Sequence, residues 1–332
     1  MENVEAVDLL DLAKELYDRP TTKDGKSPRL QPQNEKIVLV IDHFGQWLDN
    51  LGLGASVLNA FPHLYTGTHW KTVLDADCEA ILGRFAENLG VDIIAARFFV
   101  FREKLLKQFQ SRFGGQPNEA QGSDALVNFC NGTLEIGDGF QRLREFRKED
   151  YLRYQLPFAY DESATSPLFD RYLERVLPDV QSRTILAEFL GWLFIRNLKL
   201  EKVLVLYGDG HNGKSVFFDV VNALLGEQSV SNYGLAALMK PEQRPGLAST
   251  LLNFGSEIDS KCDPDLFKKL ASGEPIEARK LYKDVFIMRD YARLAFNANT
   301  LPRETEHTHG FFRRFLIVPF REVISEDEKD PD

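Results

Sequence analysis

Residues Val203, Leu204, Val205, Leu206 and Tyr207 form an unbroken apolar and aromatic run, and Phe217, Val220, Val221, Leu224 and Leu225 follow at helical spacing. The run predicts a strand buried on both faces. The spacing predicts an amphipathic helix closed by Gly226. Further apolar runs at 229–233, 251–257, 292–298 and 314–319 alternate with helical stretches, which predicts an α/β domain built on a five-stranded parallel sheet. Upstream the pattern changes. Residues 75–90 and 97–113 have helical periodicity, and the apolar stretch 186–197, with Trp192, reads as a helix leading into the first strand. Residues 127–144 alternate around Asn131-Gly132 and Gly137-Asp138-Gly139, which predicts a small β-hairpin insert. Residues 4–17 carry short apolar stripes (Val7, Leu10 and Ala13, or Leu9, Leu12 and Leu16) before a polar stretch rich in proline and lysine. Three parts are therefore expected: a helix and linker over 1–36, a mainly helical domain over 37–200, and an α/β domain over 201–332.

Composition narrows the class without naming it. The chain has 332 residues, 43% of them hydrophobic and 27% charged, with a net charge of −10. That size accommodates two domains with cores of their own. No apolar run is long enough to span a membrane and "MENVEAVDLL" lacks the layout of a signal peptide, so a cytoplasmic protein is expected. Cys78, Cys130 and Cys262 lie far apart with no C-x-x-C spacing, and His307 and His309 have no partner at ligand spacing. The acidic balance excludes a protein that coats nucleic acid with its whole surface. A local basic lining is still open: between 268 and 289, Lys268, Lys269, Arg279, Lys280, Lys283 and Arg289 face only Glu274, Glu277 and Asp284. The stretch 321–332 has six acids against two bases and reads as a solvated end.

The break between the first strand and its helix, "GDGHNGKS", fits G-x-x-x-x-G-K-[ST] through Gly208, Gly213, Lys214 and Ser215. Glycines at those positions let backbone N–H groups close around phosphates at a helix N-terminus. Lys214 adds a point charge, and the Ser215 hydroxyl suits Mg2+. Gly210, Asn212 and Val216 complete the loop expected to hold ATP.

A phosphate loop by itself predicts nucleotide binding; hydrolysis needs more groups at the γ-phosphate. Glu257 ends an apolar strand, where a carboxylate can activate water, and Asp259 would share its face. Asn299 follows another such strand, and its amide could bond both phosphate and water; Asn297 is the alternative. Arg313 and Arg314 open the last strand, from which one of them could reach a neighbouring subunit's nucleotide while the other makes a structural ion pair; Arg314 is slightly preferred for the reaching role.

The ordered set, the G-x4-GKS loop, "SEID", "KKLASGEPIEARKLYKD", "FNANTLP" and "RRFLIVPF", resembles the superfamily 3 helicases, specifically the helicase part of phage and plasmid primase-helicases related to the poxvirus primase-helicase. Upstream, "YTGTHWKTV", "FCNGTLEIGDG" and "FLGWLFIRN" are similar to the helical domain that precedes the ATPase in that family, so the likeness runs from about residue 60 to 320. It implies an AAA+ type ATPase that forms a ring, usually a hexamer, and translocates on single-stranded DNA held in a central channel during replication of a phage, plasmid or integrated element in a bacterial host. A separate primase or polymerase is an implied partner. Lys214 and Ser215 match the Walker A positions, Glu257 the Walker B glutamate and Mg2+ site, and Asn299 the sensor. Arg313 and Arg314 match the arginine-finger region, and Lys269, Lys280 and Lys283 the DNA-gripping channel segment. Two features depart from the pattern: Ser256 stands where many relatives place an acid, and no primase module fits upstream. The chain also stops soon after the last strand, which leaves both a helicase-only protein and a fragment open. A nucleotide-switched assembly or loader protein that binds ATP without unwinding is the competing expectation. A small-molecule P-loop kinase lacks an evident acceptor site.

Overall fold

A computed structural model describes residues 33–115, 125–256, 258, 263–299 and 309–325. The helix expected over 4–17 and most of its linker, Glu257, Asp259, Cys262, His307 and the acidic stretch beyond Ser325 lie outside the described residues. The chain divides into two compact units. The first takes in the described residues before Gly122 with Cys130–Gly132 and Glu145–Arg153; the second takes in the rest. Residues 154–200 thus group with the parallel sheet, whereas the sequence placed a boundary at 200.

The first unit packs helices α1 (Gln33–Asn50), α2 (Asp75–Asn88), α3 (Ile93–Arg97) and α4 (Phe99–Phe113) around one apolar cluster. Ile37, Ile41, Phe44 and Leu48 recur every three or four residues along α1 and fall on one stripe, facing Leu82 and Phe85 of α2 and Leu105 and Phe109 of α4. Phe44 meets Phe85 edge-on at 5.2 Å between centroids. Each such side chain contributes about 1.5–3 kcal/mol by leaving water. Between α1 and α2 the chain makes a three-stranded antiparallel sheet that the hydrophobic pattern did not predict: β1 (Gly54–Leu58), β2 (Phe61–Tyr65) and β3 (Trp70–Thr72). Its first turn is Asn59-Ala60, both left-handed at φ 50° and 62°. Hairpin turns of that form are normally announced by Asn-Gly, so an alanine hides the turn.

The second turn, 66–69, is a buried polar knot. Thr66 Oγ1 donates to His69 O at 3.0 Å, and Thr68 Oγ1 lies 3.0 Å from His69 Nδ1. Burial, with Lys71 nearby, holds the His69 imidazole down at about 4. An unfolded chain takes up this proton near the ordinary histidine value of about 6.5, so the unfolded state binds more protons between the two values. Stability from His69 is therefore complete above about pH 6.5 and is lost as the pH falls toward 4, by roughly 3 kcal/mol at most. Chemical denaturation at pH 7 and pH 4.5 should show a drop that His69→Asn reduces; an equal drop in both proteins would refute the assignment.

In the second unit, β4 (Ala125–Phe129), β5 (Gly132–Gly137) and β6 (Phe140–Arg144) form an antiparallel meander, so the expected hairpin gains a third strand through its second glycine turn. Helices α5 (Pro167–Val176) and α6 (Val180–Trp192) follow. The parallel sheet comprises β7 (Val203–Tyr207), β8 (Val230–Ser231), β9 (Leu252–Gly255), β12 (Arg293–Ala298) and β13 (Phe315–Pro319) in the order β13-β7-β12-β9-β8. Val203 to Leu206 are at most 1% exposed, as the unbroken apolar run requires of a central strand. Helix α7 (Lys214–Leu225) leaves β7, and β10 (Ile276–Arg279) and β11 (Val285–Met288) make a separate antiparallel hairpin after α8 (Pro264–Ser272). Arg293, at the start of β12, lies 4.3 Å over the Trp192 ring and donates to Arg196 O and Leu198 O. That contact ties the irregular stretch after α6 to the sheet. Trp192 is core, as its apolar surroundings suggest.

Candidate functional site

The successor of β7 in the chain, β8, sits at one edge of the sheet, and β13 closes against the other side of β7. The carboxyl end of β7 is thus the point where strand order reverses, and such points open a crevice for ligands. The glycine-rich loop occupies it. Gly208 N donates to Ala298 O of β12 at 3.0 Å, and Phe320 N donates to Tyr207 O at 2.7 Å. A Cβ on Gly208 would stand 2.2 Å from Phe320 O and 2.5 Å from Asn212 Nδ2, so only glycine fits. His211 and Gly213 are both left-handed, at φ 58° and 86°, and between them turn the chain into α7.

Asn212 is 4% exposed. Its Nδ2 donates to Phe320 O at 3.0 Å, and its Oδ1 accepts from Lys214 Nζ at 3.1 Å. Lys214 Nζ also donates to Gly208 O, which places the ammonium inside the curl of the loop. Burial pulls the Lys214 pKa below the ordinary lysine value, and Asp209 partly offsets this. The first N–H groups of α7, those of Lys214, Ser215 and Val216, have no partner within a helix. Ser215 and Val216 side chains are exposed beside them, as is Gly210. Backbone donors, a helix N-terminus and a fixed ammonium together can hold a polyphosphate.

The other predicted residues fall in different settings. β9 ends at Gly255, and Ser256 is exposed; Glu257 is outside the described residues. β12 lies between β7 and β9, with Asn297 abreast of Leu206 and Phe296 abreast of Gly255. Asn299 is exposed just past the end of β12. Asn297 Oδ1 is buried and has no hydrogen-bond partner among the described residues. The two asparagines therefore stand at the same sheet edge as the loop, one facing solvent and one holding an unused acceptor.

The two arginines separate by burial. Arg313 Nη2 lies 2.8 Å from Glu201 Oε2 with its side chain 53% exposed; Arg314 lies 3.2 Å from the same oxygen at 10% exposed and also donates to Ser272 Oγ. Arg314 is thus the buried member of the pair and Arg313 the exposed one.

Lys269 is exposed on α8, Lys280 is half-buried at the foot of the β10–β11 turn, and Lys283 is exposed in it. The hairpin has an inner face of Ile276, Ala278 and Met288, each at most 3% exposed. Arg244, 4% exposed, fixes its base by donating to Leu238 O, Met239 O and Glu277 O at 2.6–2.8 Å. At the tip Leu281 and Tyr282 are 69% and 95% exposed. Sequence reasoning weighed only the bases of this segment and missed Tyr282 and Arg244. The clue was an apolar-aromatic pair between two lysines, too short a stretch to enter a core. Among the described residues no cluster of His, Cys, Asp and Glu could hold a metal, and no helix is long and apolar enough to cross a membrane.

Fold and loop together define a mixed α/β protein with a five-stranded parallel sheet and an N-terminal helical region. Residues 63–178 match the family described as D5 N terminal like, and residues 206–314 match a family of unknown function, DUF5906. The chain is 22% identical over 209 residues to "Putative helicase L207/L206" of Acanthamoeba polyphaga mimivirus, a span of 59% of this chain and 22% of that protein. The apo structure of the NrS-1 C terminal region has a TM-score of 0.54 at 12% identity, over 90% of this chain and 64% of that one. Its A form gives 0.53 at 13%, over 87% and 62%. This chain thus spans about a fifth of the curated relative and under two thirds of the solved structures. At such identities the structural likeness is one of fold.

Proposed function

We propose that this chain is the motor of a ring-forming DNA helicase of the AAA+ superfamily 3 type, from a primase-helicase of a phage, plasmid or integrated element, working in the host cytoplasm. The observation that carries the reading is the glycine-rich loop, with Lys214 held inside its curl, at the switch point of the sheet and with the asparagine strand β12 directly beside it. The match to D5 N terminal like and the likeness to a mimivirus protein named as a helicase support it. In this reading ATP lies with its phosphates on the N–H groups of 213–216 and Lys214. Mg2+ would rest on the exposed Ser215 hydroxyl, a hard oxygen donor, and would neutralise charge on the phosphates. Glu257 takes the proton of the attacking water, Asn299 orients that water, and Arg313 reaches the nucleotide of the next subunit. The β10–β11 hairpin, together with Lys269, meets DNA: Lys283 contacts phosphate without reading sequence, and Tyr282 offers a flat ring to an unpaired base.

The test is steady-state ATP hydrolysis with and without single-stranded DNA. Turnover should rise several-fold with DNA, and Tyr282→Ala with Lys283→Ala should remove about tenfold or more of DNA affinity while DNA-free turnover is kept. Ser256, exposed where an acid is common, favours a second reading, a nucleotide-switched loader with a replication partner. ATP binding with no DNA effect on turnover at any protein concentration would select the loader and refute the motor.

A further inference from the structure

The phosphate loop is buttressed on one side by aromatic residues that phosphate binding does not require. Tyr172 Oη of α5 donates to Gly213 O at 2.7 Å. A Cβ on Gly213 would meet Tyr172 Cε2 at 3.2 Å and Val176 Cγ1 at 2.8 Å, so α5 abuts the cap of α7. One turn earlier Phe169 stacks on Tyr172, with centroids 5.8 Å apart and planes 26° from parallel. Residues three apart share a helix face, so the two rings form a continuous ledge that begins at the loop and runs away from it. Both are only half-buried, whereas Phe217 and Phe320 beneath the loop are 1% exposed. Ile324 N donates to His211 O of the loop, and Arg175 of α5 donates to Val323 O. The loop is thus bonded both to α5 and to the segment after β13. Burial pushes the Tyr172 phenol well above its ordinary range.

A nucleotide anchored by its phosphates at a helix N-terminus must lay its base to one side, and a half-exposed ring beside the anchor gives that base a stacking surface. We propose that Phe169, positioned by Tyr172, is the base-binding platform of the site and takes the ring of a nucleoside triphosphate. The inference rests on the phosphate-loop reading above.

Calorimetric titration of the full chain with ATP and with inorganic tripolyphosphate tests it. Phe169→Ala should weaken ATP about tenfold and leave tripolyphosphate unchanged, and Phe169→Trp should restore ATP affinity. Unchanged ATP affinity in Phe169→Ala, or a parallel loss of both ligands in Phe169→Ala and Phe169→Trp, overturns the platform. Lys214→Ala distinguishes the premise: if it weakens neither ligand, the loop does not bind phosphate and both readings fall. If it weakens both while Phe169→Ala changes nothing, only the platform does.

Discussion

Replacing Lys214 by alanine is expected to cut ATP turnover by at least about a hundredfold, the usual cost of removing one preorganised donor from a reacting anion. The side chain is buried and lies within the loop, bonded to Gly208 O and Asn212 Oδ1, so its ammonium is already oriented before any phosphate arrives. Folding should be little affected. An ammonium held out of water carries a desolvation cost, visible in its lowered pKa, and that cost offsets the bonds lost with it. Thermal unfolding within a few degrees of the parent, together with lost turnover, is the expected pair of results. Turnover within tenfold of the parent would remove Lys214 from the chemistry.

The second large effect concerns Arg313 and Arg314, adjacent in sequence and opposite in expected behaviour. Arg313→Ala should lower turnover by about a thousandfold, the lower range for an arginine supplied to a neighbouring nucleotide, with unchanged stability, because an exposed ion pair is worth little. Arg314→Ala should instead destabilise the fold by about 1–3 kcal/mol, since Glu201 and Ser272 lose a buried donor. Mixing Lys214→Ala with Arg313→Ala protein should restore part of the turnover, because an intact loop on one subunit can then face an intact arginine on the next. If Arg313→Ala keeps full activity, or the mixture stays inactive at concentrations where the parent assembles, the transfer between subunits is wrong.

Much of this was legible in the chain because local rules carried it. Val203–Tyr207 reads as a central strand from its unbroken apolar run, Gly208 and Gly213 mark a special turn before Lys214, and the remaining sheet strands left apolar runs in the right order. Lateral order was not legible: nothing local states that β12 inserts between β7 and β9, since that is decided by which faces the helices cover. The sheet over Gly54–Thr72 was hidden because Asn59-Ala60 makes a left-handed turn without glycine. The different burial of Arg313 and Arg314 was hidden because it depends on Glu201 and Ser272, remote in sequence. Tyr282 was missed because the segment was weighed by charge alone.

Strand β13 joins two of these regions. Arg314 O at its start accepts from Val203 N, and Phe320 O just past its end accepts from Asn212 and nearly touches Gly208. A strand of this length spans about 17 Å and is paired along one edge with β7. In a ring where Arg313 feels the nucleotide next door, β13 is a strut: a push at its outer end reaches the floor of its own loop. A glycine placed in mid-strand would loosen that link between the two ends without touching either of them.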